Sequence, residues 1–242
     1  MRSTTSGLRF IMWRFSMTDL RLTRLLQLAS PALPVGAYSY SQGLEAAVEA
    51  RIVHDAASAQ TWIGDVLELS VARMEAPVLL RLMQAWLQAN ITAVEHWNAF
   101  FLAGRETTEL RAESVQMGYS LTRLLNDIDE PDAASFAQLL RITEPAFPTA
   151  YACAAAHWQI APKPALIAYL WSWTENQVMA ALKAVPLGQT DGQKMLLALG
   201  ARLDAIADAA ATRADHELGN YTPGLAILSS KHETQYSRLF RS

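Results

Sequence analysis

Cys153 and His157 stand four residues apart, the spacing that on a helix points two side chains at one spot. A thiolate and an imidazole could share a soft or borderline metal ion there, but a closed site needs three or four ligands. A small buried thiol in an alanine face, beside a partly exposed histidine, accounts for the pattern better. His216-Glu217 and His232-Glu233 are isolated pairs, so the two-histidine zinc motif is absent. Gly188-Gln-Thr-Asp-Gly192 has two glycines of a phosphate loop but lacks the Lys-Ser/Thr and the preceding strand. No Gly-x-Ser-x-Gly nucleophile elbow occurs. The chemistry on offer is not catalysis: no catalytic residue, cofactor or metal site is expected.

Two segments offer recognition chemistry instead. Lys231-His-Glu-Thr-Gln-Tyr-Ser-Arg-Leu-Phe-Arg-Ser242 comes after a Pro-Gly pair (Pro223, Gly224), so it is expected outside the preceding core. Terminal tails are commonly small and polar, whereas this one carries Tyr236, Leu239, Phe240, Arg238, Arg241 and His232. So short a segment cannot bury its own aromatics and orders when it meets a partner. On such a surface Tyr236 and Phe240 would lie one helical turn apart, with Arg238 and Arg241 turned to acceptors at the rim. The alternative, a last turn folding back on its own domain, stays open. The second segment, Leu33-Pro-Val-Gly-Ala-Tyr-Ser-Tyr-Ser-Gln-Gly43, is dense in turn formers, hydroxyls and tyrosines. Restricted aromatics beside small polar residues suit an interface, though Tyr38 and Tyr40 could equally pin the loop to the core.

The elements that must position these segments are helical. Leu20, Leu22, Leu25, Leu26 and Leu28 form one apolar face before Ser30-Pro31 stops it. Ser41 is placed to cap a helix holding Leu44 and Val48, and Asp55 with Ser58 to cap one carrying Trp62, Ile63, Val66 and Leu67. Pro77 suits the first turn of another. Helical periodicity continues over 91–103, 107–127 and 132–141, then from Pro145 and Pro148 to Trp158. Lys163–Val185 is apolar on several sides and is expected at the centre. A last long helix is predicted over 190–215. No run alternates with β-branched enrichment, and no repeat of 30–45 residues is visible. These patterns predict an all-α, single helical domain of about nine or ten helices. Three loops interrupt it, at 30–36, 186–192 and 219–224.

Composition narrows the functional classes. The 242 residues are 51% hydrophobic and 18% charged, below the usual quarter of charged residues, with Ala and Leu in excess. Net charge is −3 with no basic block, so neither a nucleic-acid surface nor an anionic-membrane surface is expected. No apolar run approaches the roughly 18 residues needed to span a bilayer. The lone Cys153 allows no internal disulfide and fits a reducing, cytoplasmic compartment. Residues 1–16 carry Arg2, Arg9 and Arg14 and no acid. An upstream start codon explains them better than a targeting peptide, because Met17-Thr18-Asp19 opens directly into a capped helix. Residues 1–17 are expected as a flexible extension, with the folded domain from 18 and a recognition tail at 231–242.

Four blocks, in order, resemble the urease accessory protein F family. They are Leu25-Leu-Gln-Leu-Ala-Ser-Pro-Ala-Leu-Pro-Val-Gly-Ala-Tyr-Ser-Tyr-Ser-Gln-Gly-Leu-Glu45, Arg105-Glu-Thr-Thr-Glu-Leu-Arg-Ala-Glu-Ser-Val-Gln-Met-Gly118, Pro186-Leu-Gly-Gln-Thr-Asp-Gly-Gln193 and His232-Glu-Thr-Gln-Tyr-Ser-Arg-Leu-Phe-Arg-Ser242. The resemblance covers the chain from about Leu20 onward. It implies a cytoplasmic, commonly dimeric helical protein without catalytic activity. Such proteins work with urease accessory protein D (called H in some organisms) and the GTPase accessory protein G on the urease apoprotein, in GTP-dependent nickel insertion. In that family the tail orders on binding protein D and helps to receive the GTPase. Carried onto this sequence, the interface candidates are Tyr38, Ser39, Gln42, His232, Glu233, Tyr236, Arg238, Leu239, Phe240 and Arg241. A second reading makes the chain a direct regulator of the GTPase, with Arg238 or Arg241 entering the partner's nucleotide site.

Overall fold

The computed structural model describes residues 17–128, 130 and 133–242, with side chains from Leu20 onward. It is 72% helical with no strands among the described residues, an all-α single domain. Of the extension expected over 1–17, residues 1–16 lie outside them, and Met17 is described as part of the first helix. The α-helices run α1 Met17–Ala29, α2 Leu44–Glu49, α3 Ala56–Val66, α4 Ala76–Leu87, α5 Ile91–Ala103, α6 Thr108–Asp127, α7 Ala134–Leu139, α8 Phe147–His157, α9 Pro162–Ala184, α10 Gln189–Gly200, α11 Leu203–Thr212 and α12 Pro223–His232. No described helix is long and apolar enough to cross a membrane.

Helix α9 organises the packing. Its first half, through Ala165, Leu166, Tyr169 and Leu170, joins a core built on α4, α5, α6, α8 and α11. Its second half, through Val178, Ala180 and Ala181, joins another core with α2, α3, α10 and α12. An apolar surface on several sides is what a helix shared by two cores requires. Alanine-rich α8 is buried almost throughout and lies against α4 and α6. The approach is close enough that a Cβ on Gly118 would sit 1.9 Å from the Pro145 carbonyl oxygen. No side chain of its own caps α8. Asn98 of α5 does so instead: its Oδ1 accepts from the Ala146 N–H at 2.9 Å and the Thr149 hydroxyl at 2.7 Å, and its Nδ2 donates to the Glu144 carbonyl at 2.9 Å.

Three expectations need correction. Pro77 does not begin a separate helix. It sits just beyond a nine-residue π-helical segment, Leu67–Glu75, that joins α3 and α4 without a break. A proline inside a helix removes an N–H and crowds the carbonyl four residues back, and a widened turn is one way the backbone accommodates it. Carbonyls of that segment then bond elsewhere, Leu69 accepting from Tyr221 N–H at 3.2 Å and Arg73 from Gly219 N–H at 3.5 Å. The predicted helix over 190–215 is two helices, α10 and α11, parted at Ala201-Arg202. Gly200, just before the break, packs so close to the Trp171 ring that an added Cβ would meet it at 3.2 Å. On α1 the leucines do not form one buried face. Leu28 is buried and Leu25 half-buried, while Leu20, Leu22 and Leu26 are exposed; the main neighbour of α1 among the described helices is α9.

Candidate protein-interaction site

Pro223 and Gly224 do not detach the end of the chain; they open α12, where proline is suited to the first turn. The segment beyond α12 returns to the surface of α2 and α6 and docks against the Ser30–Gly43 loop. Of the two readings of the tail, the fold-back on its own domain is the one realised. Beyond Glu233 the backbone is turns rather than helix, so Tyr236 and Phe240 are not stacked one turn apart. Phe240 is buried in the second core, whereas Tyr236 is fully exposed and Leu239 is 61% exposed.

Three carboxylates hold the segment in place. Glu45 of α2 accepts from the backbone N–H of Leu239 at 2.7 Å and of Phe240 at 2.8 Å, and faces His232 Nε2 at 3.3 Å. Glu109, in the first turn of α6, faces His232 Nδ1 at 2.7 Å and accepts from Arg238 at 2.8 Å. A carboxylate at that end of a helix is also favoured by the helix dipole. Glu113, one turn further along, accepts from the Ser242 hydroxyl at 2.9 Å and the Gln42 amide at 2.6 Å. Burial pushes its carboxyl up to about 7, against the hydrogen bonds from Gln42 and Ser242.

The loop and the tail form one unit. Gln42 and Gly43 both adopt left-handed backbone, at φ 52° and 79°, which for glutamine costs of the order of 1 kcal/mol or more. That reversal sends the Gln42 side chain inward, where its oxygen accepts from the Trp173 indole N–H at 2.7 Å and its amide reaches Glu113. The main-chain oxygen of Ser242 accepts from the backbone N–H groups of Ser41 at 2.7 Å and Gln42 at 3.1 Å, and from the Ser41 hydroxyl at 2.6 Å. The Arg241 N–H donates to the Ser39 carbonyl at 2.8 Å. The Lys183 ammonium lies 5.8 Å from the Tyr38 ring and 5.7 Å from the Phe240 ring, within cation–π range of both. Tyr40 is buried beneath the loop, and burial raises its phenol. Ser41 accepts from the Glu45 N–H at 3.3 Å, as a cap would, but its hydroxyl proton goes to the tail.

The expected residues therefore divide. Tyr38, Tyr236, Leu239, Arg238 and Arg241 face solvent. Gln42, His232, Phe240 and the Ser39 carbonyl are used internally to hold those five. Glu233 joins the internal group, accepting from the Glu109 N–H at 3.3 Å. Glu45, Glu109 and Glu113 escaped the residue-by-residue reading, although Glu109 and Glu113 at i, i+4 are like charges that need partners to be tolerated on one helix face.

Behind the loop lies a small cavity of about 40 Å³, lined by Gln42, Glu75, Arg105, Glu113, Tyr169 and Trp173 among others. Arg105 is ion-paired with Glu75, which also accepts from the Tyr169 hydroxyl at 2.9 Å. Cys153 and His157 both approach Ser135: the thiol donates to its carbonyl at 3.6 Å, and the ring nitrogen lies 3.5 Å from its hydroxyl. Burial pushes the thiol up to about 12. Among the described residues, no group of three or more His, Cys, Asp and Glu is placed to hold a metal ion.

Residues 53–200 match the family model described as UreF. The chain is 59% identical over 225 residues to the urease accessory protein UreF of Azoarcus sp. (strain BH72), spanning 92% of this chain and 96% of that protein. It is 54% identical over 226 residues to the protein of the same name from Dechloromonas aromatica (strain RCB), spanning 93% and 99%. To that of Methylobacillus flagellatus it is 53% identical over 221 residues, spanning 91% and 97%.

Proposed function

Because this chain belongs to the urease accessory protein UreF family, we propose that it is a non-catalytic accessory protein and chaperone of urease maturation. In this reading it acts in the cytoplasm with accessory proteins D and G on the urease apoprotein, in GTP-dependent assembly of the nickel centre. The observation that carries the interface assignment is the docked tail. The backbone of the segment is pinned by Glu45 through the Leu239 and Phe240 N–H groups, yet the side chains of Tyr236 and Leu239 are left in solvent, and Tyr38 on the adjoining loop is exposed as well. Exposed aromatic and aliphatic side chains on a pinned backbone lose little entropy on binding, which is what hot-spot residues require.

Arg238 is engaged by Glu109, which favours a positioning role over insertion into the GTPase nucleotide site. Homodimerisation belongs to the same reading. A groove of about 680 Å³ between α1, α9 and α10 is lined by Leu25, Leu26, Ile167, Trp171, Leu196 and Leu197. The exposed Leu20 and Leu22 flank it on α1; in this reading the ridge and groove of one copy would meet those of a second about a two-fold axis. The test is co-elution of the purified chain with protein D, followed by recruitment of the GTPase, comparing the unmodified protein with Tyr236→Ala. Assembly unaffected by that substitution, and by Tyr38→Ala, would remove the tail and loop from the interface. Single-turnover GTP hydrolysis with Arg238→Ala separates adaptor from regulator: an unchanged rate per assembled complex supports the adaptor.

A further inference from the structure

Glu109 meets the Arg238 guanidinium and Glu45 faces the His232 ring, whereas Glu113 meets only an amide and a hydroxyl. Its residue is 4% exposed, and the tail forms part of the lid: Ser242, itself fully buried, sits on one carboxyl oxygen and Gln42 on the other. Lifting the tail removes the Ser242 contact and frees the Ser41-Gln42 backbone that the same residue holds, opening Glu113 to water. We propose that docking of the tail is linked to protonation of Glu113, so that this one buried carboxyl sets how firmly the Tyr38–Tyr236 surface is presented.

The groups facing Glu113 decide the sign. Arg105, from the α5–α6 junction, favours the carboxylate, as do the hydrogen bonds from Gln42 and Ser242. Glu75, ending the π-helical segment, opposes it, and burial outweighs the rest. Tyr169 of α9 bonds Glu75 and Tyr40 of the loop lies near, both neutral at physiological pH because burial raises their phenols. With the tail docked the carboxyl titrates at about 7; hydrated after release it returns towards 4.5. A group whose bound-state value is raised contributes its full stabilisation below the released-state value and loses it as pH rises through the docked value. Docking is therefore tightest below about pH 4.5 and loosens as pH rises to about 7, above which little of this contribution is left. The tail's other titratable contacts are His232, the carboxylates of Glu45 and Glu109 on either side of it, and the Tyr40 phenol beside Arg241.

Hydrogen exchange of the full-length isolated chain tests this without any partner, so its outcome is separate from that of the assembly experiment. Protection of the Leu239 and Phe240 amides, corrected for intrinsic exchange, should fall on the order of ten- to thirty-fold from pH 5.5 to 8. In Glu113→Gln, which keeps the shape and stays neutral, that fall should be largely lost, while His232→Gln should retain it. An undiminished fall in Glu113→Gln overturns the inference, as does its disappearance in His232→Gln alone. Carboxyl carbon NMR of the unmodified chain supplies a reading that needs no variant. A Glu113 midpoint near 7 supports the linkage, and one in the ordinary carboxylate range rules it out.

Discussion

Glu45 shows how much of this molecule depends on single carboxylates. Two backbone N–H groups of the tail end on it, and each charge-assisted bond is worth roughly 1.5–3 kcal/mol. Glu45→Ala should therefore raise exchange at Leu239 and Phe240 by tenfold or more while leaving the helical circular dichroism signal intact. At Gly118 the limitation is space rather than charge. The clash with Pro145 and Ala146 is with backbone, which cannot rotate away. Gly118→Ala should cost about 2 kcal/mol or more, typical of overpacking a tight core, seen as a lower urea midpoint with unchanged slope. Cys153 makes the opposite point: buried and with its thiol pushed up to about 12, it should resist iodoacetamide at pH 8 until the protein is unfolded. The capping pair Asp55/Ser58 was legible in the sequence because it is local, and the structure shows its reciprocal bonds at 2.8 and 3.0 Å. Asn98 was not, since the helix it caps begins 49 residues later.

Among the elements, those written by a 3.6-residue period were legible: α5, α6, α8 and α9 fall close to where the apolar spacing puts them. What the period cannot express is a change of helical pitch or a break at residues that themselves favour helix, such as Ala and Arg. The π-helical segment before Pro77 and the junction at Ala201-Arg202 are of these two kinds. The tail illustrates a third limit, because its order comes from carboxylates on α2 and α6 that lie over a hundred residues away in sequence. Its docking also changes what truncation should do. Removing 233–242 takes Phe240 out of the second core, and burial of a phenylalanine side chain is worth about 1.5–3 kcal/mol. The shortened protein should keep its helical content yet melt several degrees lower. An unchanged melt would mean that the tail is only loosely attached in solution.

At the scale of the whole molecule, the all-α class was readable from composition and period together, whereas the division into two cores bridged by α9 was not. Core membership depends on which faces meet, and a helix apolar on several sides leaves that choice open. The α1 leucines are a case in point: their pattern announces an apolar face, but three of them are exposed among the described residues. If a second copy covers them, Leu26→Glu should shift the protein from dimer to monomer in light scattering, with little change in the helical signal. A dimer that survives both this substitution and Leu197→Glu would place the contact elsewhere.

The bond between Ser41 and Ser242 spans 201 residues of chain. A ribosome delivers the loop long before the segment that completes it, and loop closure over such a distance is slow and entropically costly. The exposed surface around Tyr38 is thus assembled after the helices that carry it. Folding becomes its own quality control: a chain that has not consolidated α2 and α6 against α12 has no Glu45 and Glu109 in register to receive the tail. Pulse-labelled refolding should show the Leu239 and Phe240 amides gaining protection in the last phase, after α9. A partner that grips this surface would then select finished molecules over unfinished ones without any separate inspection step.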